Sequence, residues 1–331
     1  MTLQSKKLTL FTVVLFEIIS VILLCFFLFK NLYDKKNILG AVHVVPIKKE
    51  NLIFSSDSEL SNFYEPQPNT NIQDKPSWFP DEVRYVINSD GLNSLKEYDT
   101  NKPQDSFRIV TMGDSFTFGL LVNTEENYSS ILERSLNNLN CPKRHFEVIN
   151  LGVMGYDLLF ASYRFKIRGE KYQPDLVVWF INDHNFHTMP QLFKKQMEEL
   201  EKSISREEKE EARKKGNYHL VWNKAEALIE NFYMEKSIIE QEHAALYELA
   251  RHYKGPLILT GYVSSRFKSL MKLFVSNRPS TVLQDNLPDI YGNSGGVYAD
   301  GHPSTKGHEL IASSLLTFLL TNNFIPCNTG Q

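Results

Sequence analysis

The chain has 331 residues, 42% of them hydrophobic, and a formal net charge of −3 at pH 7. That is enough apolar sequence for one large domain with additions, and nothing in the charge balance points to nucleic acid. Three cysteines are too few for a disulfide-rich scaffold.

The first element in chain order is apolar. Leu8 to Phe29 is almost wholly hydrophobic and is bracketed by Lys6, Lys7 and Lys30. As a helix it would span about 33 Å, which matches a bilayer core. Glu17 opposes insertion by roughly 3 kcal/mol, while each Leu, Ile, Phe and Val favours it by about 0.3–0.6 kcal/mol, so the sum favours insertion. A cleaved signal peptide would have a shorter apolar core followed by small residues. Here Lys30-Asn-Leu-Tyr-Asp-Lys-Lys follows, so residues 1–30 are expected to be an uncleaved single-pass anchor. Cys25 lacks the small preceding residue of a bacterial lipidation site. Lysines flank both ends, so the positive-inside rule does not orient the span.

Residues 31–80 predict a tether, punctuated by Pro66, Pro68, Pro76 and Pro80. Trp78 and Phe79 are poor residues to leave in water, which points to partial order against the domain. Val83 to Gly91 predicts a short strand running into an Asp90-Gly91 turn.

From Phe107 strands and helices alternate. Strands are expected at Phe107–Met112, Phe146–Asn150, Leu176–Phe180 and Pro256–Gly261, with a weaker one at Thr281–Leu283. Helices are expected at Glu126–Leu139, Leu158–Ile167, Glu235–His252, Arg266–Phe274 and Lys306–Leu320. This alternation predicts an α/β domain over 81–331, a mostly parallel sheet covered by helices on both faces. Residues 191–255 are expected to form a helical insertion, beginning with a charged run to Gly216 that predicts a solvated amphipathic helix, a mobile cover over the neighbouring rim or a membrane-surface contact. Cys141 and Cys327 are the one pair that could bridge outside the cytosol, although two unrelated thiols is the simpler reading.

Parallel sheets bind ligands at the carboxyl ends of their strands. Gly113-Asp114-Ser115 follows the first of these strands, where a serine can be either a helix cap or an exposed nucleophile. A nucleophilic serine needs a base, a partner that orients the base, and donors for the oxyanion. The later rim loops supply candidates. Asn150-Leu-Gly-Val-Met-Gly-Tyr156 carries Gly152 and Gly155, where backbone can approach a ligand closely and offer an N–H. Asn182 has a neutral side-chain N–H2 to offer. His302 is a candidate base, with Asp300 near enough to orient it. Asp114 suits the helix N-terminus, Asp183 suits support of the rim loops, and His308 suits packing or capping at the last helix. His184 and His187 stand three apart, but no H-E-x-x-H or cysteine-rich spacing accompanies them, so no metal is expected.

The ordered blocks Gly113-Asp114-Ser115, Asn150…Gly155, Asn182-Asp183 and Asp300…His302 resemble the SGNH hydrolase (GDSL esterase/lipase) superfamily. Tyr85-Val-Ile-Asn-Ser-Asp-Gly91 resembles its membrane-anchored bacterial members. The resemblance spans about residues 83–320. It implies a three-layer α/β/α flavodoxin-like fold with a central parallel sheet, and an extracytoplasmic domain in the cell envelope. It further implies Ser115 as nucleophile, His302 as general base and Asp300 as its orienting acid. The oxyanion hole would comprise the Ser115 and Gly155 N–H groups and the Asn182 side chain. One departure stands out: the family places the aspartate three residues before the histidine, and here the separation is two. The expected activity is hydrolysis of an acyl ester of envelope carbohydrate or lipid, with no cofactor and no nucleic-acid partner. The alternatives are an O-acyltransferase using the same residues with a sugar hydroxyl as acceptor, and a non-catalytic membrane-tethered binding or assembly protein on the same fold.

Overall fold

The computed structural model describes residues 63–327, apart from 77, 140, 142–144, 187–198, 218–219, 222 and 226–235, with backbone alone for 236–241. The expected membrane segment and the tether up to residue 62 lie outside the described residues. Among the described residues no helix is long and apolar enough to cross a membrane.

Strands β1 (Thr70–Asp74) and β2 (Val83–Ile87) pair antiparallel, with Thr70 opposite Ile87 and Asp74 opposite Val83. Val83, Tyr85 and Ile87 are buried in β2, the alternation of a half-buried strand. Residues 63–80, expected to belong to a tether, are therefore built into the domain. Phe79 joins Tyr85 and Phe118 in one apolar cluster, and Phe63 and Tyr64 pack against the main core. Glu65 forms ion pairs with Arg164 and Arg168. Trp78 and Phe79 point to part of this order; the rest has no regular periodicity to mark it, because each side chain fills a separate site on the domain.

Next come β3 (Ser106–Met112), α1 (Ser115–Phe118), α2 (Tyr128–Asn137), β4 (His145–Asn150), α3 (Leu158–Arg164) and β5 (Leu176–Phe180). After α4 (Arg206–Lys214) and α5 (Lys236–His252) the chain returns to the sheet through β6 (Leu257–Thr260), α6 (Ser265–Ser276) and β7 (Thr281–Leu283), and closes with α7 (Thr305–Thr321). The five strands of the main sheet lie in the order β4-β3-β5-β6-β7, all parallel. Counted along the sheet's own strands this is 2-1-3-4-5, the flavodoxin-like order, whose switch point falls between β3 and β5. Successive side chains point to opposite faces, so each strand feeds two cores. Val110, Met112, Val177 and Trp179 pack on one face with α3, α5 and α6. Ile109, Val178, Phe180 and Ile258 pack on the other with α2 and α7. The result is the three-layer arrangement expected from the alternation.

Side-chain caps start the helices that bear on the site. Asn127 accepts the Ser130 N–H at α2, Asp157 the Phe160 N–H at α3, and Ser304 the Gly307 N–H at α7. In the insertion, α4 has no buried residue, as a solvated helix requires, whereas Leu200 and Ile204 just before it are buried.

Cys141 and Cys327 form a disulfide across a sequence separation of 186, with Cα atoms 5.0 Å apart. This corrects the reading of two unrelated thiols; the pair meets only because the end of the chain folds back beside the segment before β4. Closing so long a loop typically contributes about 2–4 kcal/mol. Replacing both cysteines with serine, or melting the protein in reductant, is expected to lower Tm by about 10 °C, read by calorimetry.

A second buried device joins the insertion to the start of α3. Glu242 on α5 accepts the Leu159 N–H at 3.3 Å, beside Asp157, and both carboxyls are buried. Burial raises Asp157 to about 7 and pushes Glu242 well above the usual carboxylate range, helped by the neighbouring Asp157 charge. Raised native values mean that the folded state holds protons the unfolded chain has already lost. Their contribution is full below the unfolded values near pH 4 and is lost as pH rises through about 7, at up to about 1.4 kcal/mol per pH unit per proton. Glu242→Gln is expected to flatten this loss between pH 5 and 8, measured by urea unfolding across that range.

Candidate active site

The strand-to-helix junction after β3 places Ser115 at the first position of α1, buried but lining an open cleft. Asp114 caps that short helix, its Oδ1 accepting the Phe116 N–H at 2.9 Å. The hydroxyl of Ser115 lies 2.9 Å from His302 Nε2, and His302 Nδ1 lies 2.9 Å from Asp300 Oδ2. The other carboxylate oxygen of Asp300 accepts the His302 backbone N–H at 3.1 Å. An ionised carboxylate only accepts, so Nδ1 carries the ring proton and Nε2 presents its lone pair to the serine hydroxyl.

The two-residue spacing of Asp300 and His302 is made workable by the glycine between them. Gly301 adopts φ +90°, a left-handed conformation, and no heavy atom stands within 4 Å of where its Cβ would be. The constraint there is therefore conformational rather than one of space. Its N–H donates to the Tyr298 carbonyl at 3.0 Å, while the Tyr298 N–H donates to the His302 carbonyl at 2.8 Å. This tight reversal folds the aspartate back under the imidazole, so a second intervening position is not needed.

The Asn182 side chain, just beyond β5, is fixed from two sides. Its Nδ2 donates to Asp114 Oδ2 at 3.0 Å, and its Oδ1 accepts the Tyr262 N–H at 3.4 Å. One of its two amide hydrogens thus remains for the cleft, which Asn182 lines together with Ser115 and Gly155. The three expected oxyanion donors are therefore brought to one cavity of about 530 Å³, along with Asp300 and His302. Phe116, Leu120, Met154, Tyr262 and Tyr291 supply most of its apolar wall, and Asn223 reaches it from the insertion.

Asp114 does more than the helix-capping expected of it. It is fully buried, and its Oδ2 also accepts from Asn185 Nδ2 at 3.0 Å and pairs with His184 Nε2 at 2.7 Å. Burial acts to raise its pKa, but the His184 charge and the side-chain hydrogen bonds outweigh this and hold it below the usual value. One carboxylate thereby ties α1 to the Asn182 loop. Asn185, unnoticed in the sequence, completes the tie by donating to the Tyr156 carbonyl at 2.8 Å and accepting the Asn182 N–H at 2.6 Å. Its position three residues after Asn182 was the available signal. Asp183 supports the rim, accepting the Ser264 N–H at 2.6 Å.

The other histidines separate by environment. His184 is occupied by Asp114, and His187 lies outside the described residues. His308 is buried against Tyr128, whose N–H donates to its Nδ1 at 3.2 Å. Burial, with the nearby His302, lowers its pKa to about 3, so it stays neutral.

No protein-family model matches the chain, and no curated protein is similar to it. Similar solved structures include two esterases and a protein described as lipolytic. They include Axe2, an acetylxylan esterase from Geobacillus stearothermophilus, at 14% identity and TM-score 0.41 over 70% of this chain and 100% of that one. The psychrotrophic esterase EstA from Pseudoalteromonas sp. is similar at 16% identity and TM-score 0.40 over 65% and 98%. A Desulfitobacterium hafniense protein described as lipolytic and of the G-D-S-L family is similar at 16% identity and TM-score 0.34 over 63% and 98%. These likenesses are distant, and the chemistry of this chain is read from its own side chains.

Proposed function

We propose that this protein is a membrane-anchored serine esterase of the SGNH type. The observation that carries the reading is the continuous hydrogen-bonded chain from Ser115 through His302 to Asp300 at the mouth of an apolar cleft. In the proposed reaction His302 Nε2 takes the Ser115 proton as the Ser115 Oγ attacks the ester carbonyl. The tetrahedral oxyanion is held by the Ser115 N–H, the Gly155 N–H and the free amide hydrogen of Asn182. Collapse breaks the ester C–O bond, the alcohol leaves with the proton from His302, and an acyl-enzyme remains. Water, deprotonated by the same imidazole, then releases the acid. Every step uses side chains and water, so no cofactor enters.

The substrate proposed is an O-acyl ester of envelope carbohydrate or a lipid ester. The apolar segment 8–29 supports a location at the membrane, and the Cys141–Cys327 disulfide supports an extracytoplasmic domain, since such bonds persist in oxidising compartments. A cleft with mostly apolar walls and a few converging polar groups suits a small acyl ester. Purified protein should turn over p-nitrophenyl acetate and butyrate. Hydrolysis absent from the wild type, or equal in Ser115→Ala, would sink the reading. An acyltransferase would instead show release that accelerates severalfold when a sugar acceptor is added, with the acyl group found on the sugar.

A further inference from the structure

The turn that carries Gly155 is held by a residue far away in sequence. Val153 to Tyr156 form a turn closed by the Tyr156 N–H to the Val153 carbonyl at 3.3 Å, with Gly155 at φ +75°. Positive φ at the third position is the mark of a type II turn. Such turns differ from type I mainly by a half-rotation of the central peptide, here the one joining Met154 to Gly155. Glycine at the third position accepts both states, so the turn's own sequence does not choose between them.

Tyr64 makes the choice. Its hydroxyl donates to the Met154 carbonyl at 2.6 Å. That carbonyl and the Gly155 N–H belong to one peptide unit, and in a trans peptide the two point in opposite directions. Binding the carbonyl on the Tyr64 side therefore directs the Gly155 N–H away from Tyr64 and fixes it there. A hydrogen bond to the carbonyl also polarises the same amide and strengthens its N–H as a donor. The contact is close from a second direction: a Cβ on Gly155 would stand 2.9 Å from the Tyr64 hydroxyl. The clasp is reciprocal, since the Tyr156 hydroxyl donates to the Tyr64 carbonyl. The Tyr64 ring is itself seated edge-on against Tyr156 and Phe160, with centroids 5.3 and 5.9 Å away.

We infer that Tyr64 is a positioning residue for the oxyanion hole, locking the Met154–Gly155 peptide in the orientation in which its N–H serves the reaction. This rests on the esterase reading above. The segment ahead of β1 is then part of the working site rather than a connector. Its effect should fall on the transition state and not on the resting ester, because the oxyanion exists only there.

The test compares wild type with Tyr64→Phe, which keeps the ring and its packing and removes only the hydroxyl. Four quantities are measured on a p-nitrophenyl ester and on the protein: kcat, KM, the inhibition constant of an aryl boronic acid that forms a tetrahedral adduct with Ser115, and Tm. The inference expects kcat to fall about tenfold, short of the roughly 10²–10³-fold for losing a donor outright. The boronate should weaken by a similar factor, with KM within twofold and Tm unchanged. A variant equal to wild type in kcat and boronate affinity overturns the inference and leaves the esterase reading standing. A fall in kcat that comes with a lowered Tm and a raised KM also overturns it, because that is the signature of a scaffold role. A wild-type protein without turnover or boronate binding overturns both.

Discussion

Replacing His302 with alanine is expected to lower kcat on an aryl ester by about 10⁶-fold, as loss of the base does in other serine hydrolases. The imidazole Nε2 lies within hydrogen-bonding reach of the Ser115 hydroxyl, at 2.9 Å. Without it the serine must lose its proton to water. A residual rate of roughly 10³–10⁴ over the uncatalysed reaction should survive, because the oxyanion donors and the cleft remain. The side chain of His302 is 17% exposed at the cleft, and its ring centroid lies 5.7 Å from that of Phe116. A retained cooperative melting transition separates lost chemistry from lost folding. Stopped assays with extended incubation would measure the residual rate, and thermal melting would check the fold.

Asp300→Asn is expected to lower kcat by about 10⁴-fold while leaving the backbone turn intact. The asparagine Oδ1 can still accept the His302 backbone N–H, as Asp300 does at 3.1 Å. An amide nitrogen facing Nδ1 can only donate, which favours the tautomer with its proton on Nε2. That nitrogen would then face Ser115 already protonated and could not act as base. The experiment also decides how much weight the shortened spacing bears. If a group other than Asp300 oriented the histidine, the loss would be under about tenfold. Side-chain burial of Asp300, 2% exposed, and its use of both oxygens on His302 favour the large loss.

The parallel sheet was legible because each strand is a short apolar run between turn signals, and each of its helices carries its own periodicity. Leu176–Phe180 appears where the sequence places it, and β3 and β4 each begin one residue earlier than expected. The rim loops were legible for a related reason: the topology carries Ser115, Gly155 and Asn182 to the same sheet edge once the strands are parallel. What could not be read were contacts between distant segments with no pattern of their own. Tyr64 and Met154 are 90 residues apart, and Cys141 and Cys327 are 186 apart. Nothing in spacing or composition marks the first pair, and composition names the two cysteines without showing that they meet; both contacts depend on how distant segments pack on the finished sheet. Asp114 was half legible. Its capping role follows from its position, whereas its hold on Asn182, His184 and Asn185 requires β3 and β5 to be neighbours, which only the strand order reveals. The Asp300–His302 spacing, a departure from the resembled family, is explained locally by the left-handed Gly301.

The central claim is that Ser115 is a nucleophile activated by His302. Labelling with a fluorophosphonate, followed by intact mass and peptide mapping, tests it most directly. The account predicts one adduct per chain, on Ser115, formed at least a thousandfold more slowly in His302→Ala. Absence of any adduct on the folded wild-type protein, or an adduct on another residue that persists in Ser115→Ala, would contradict it.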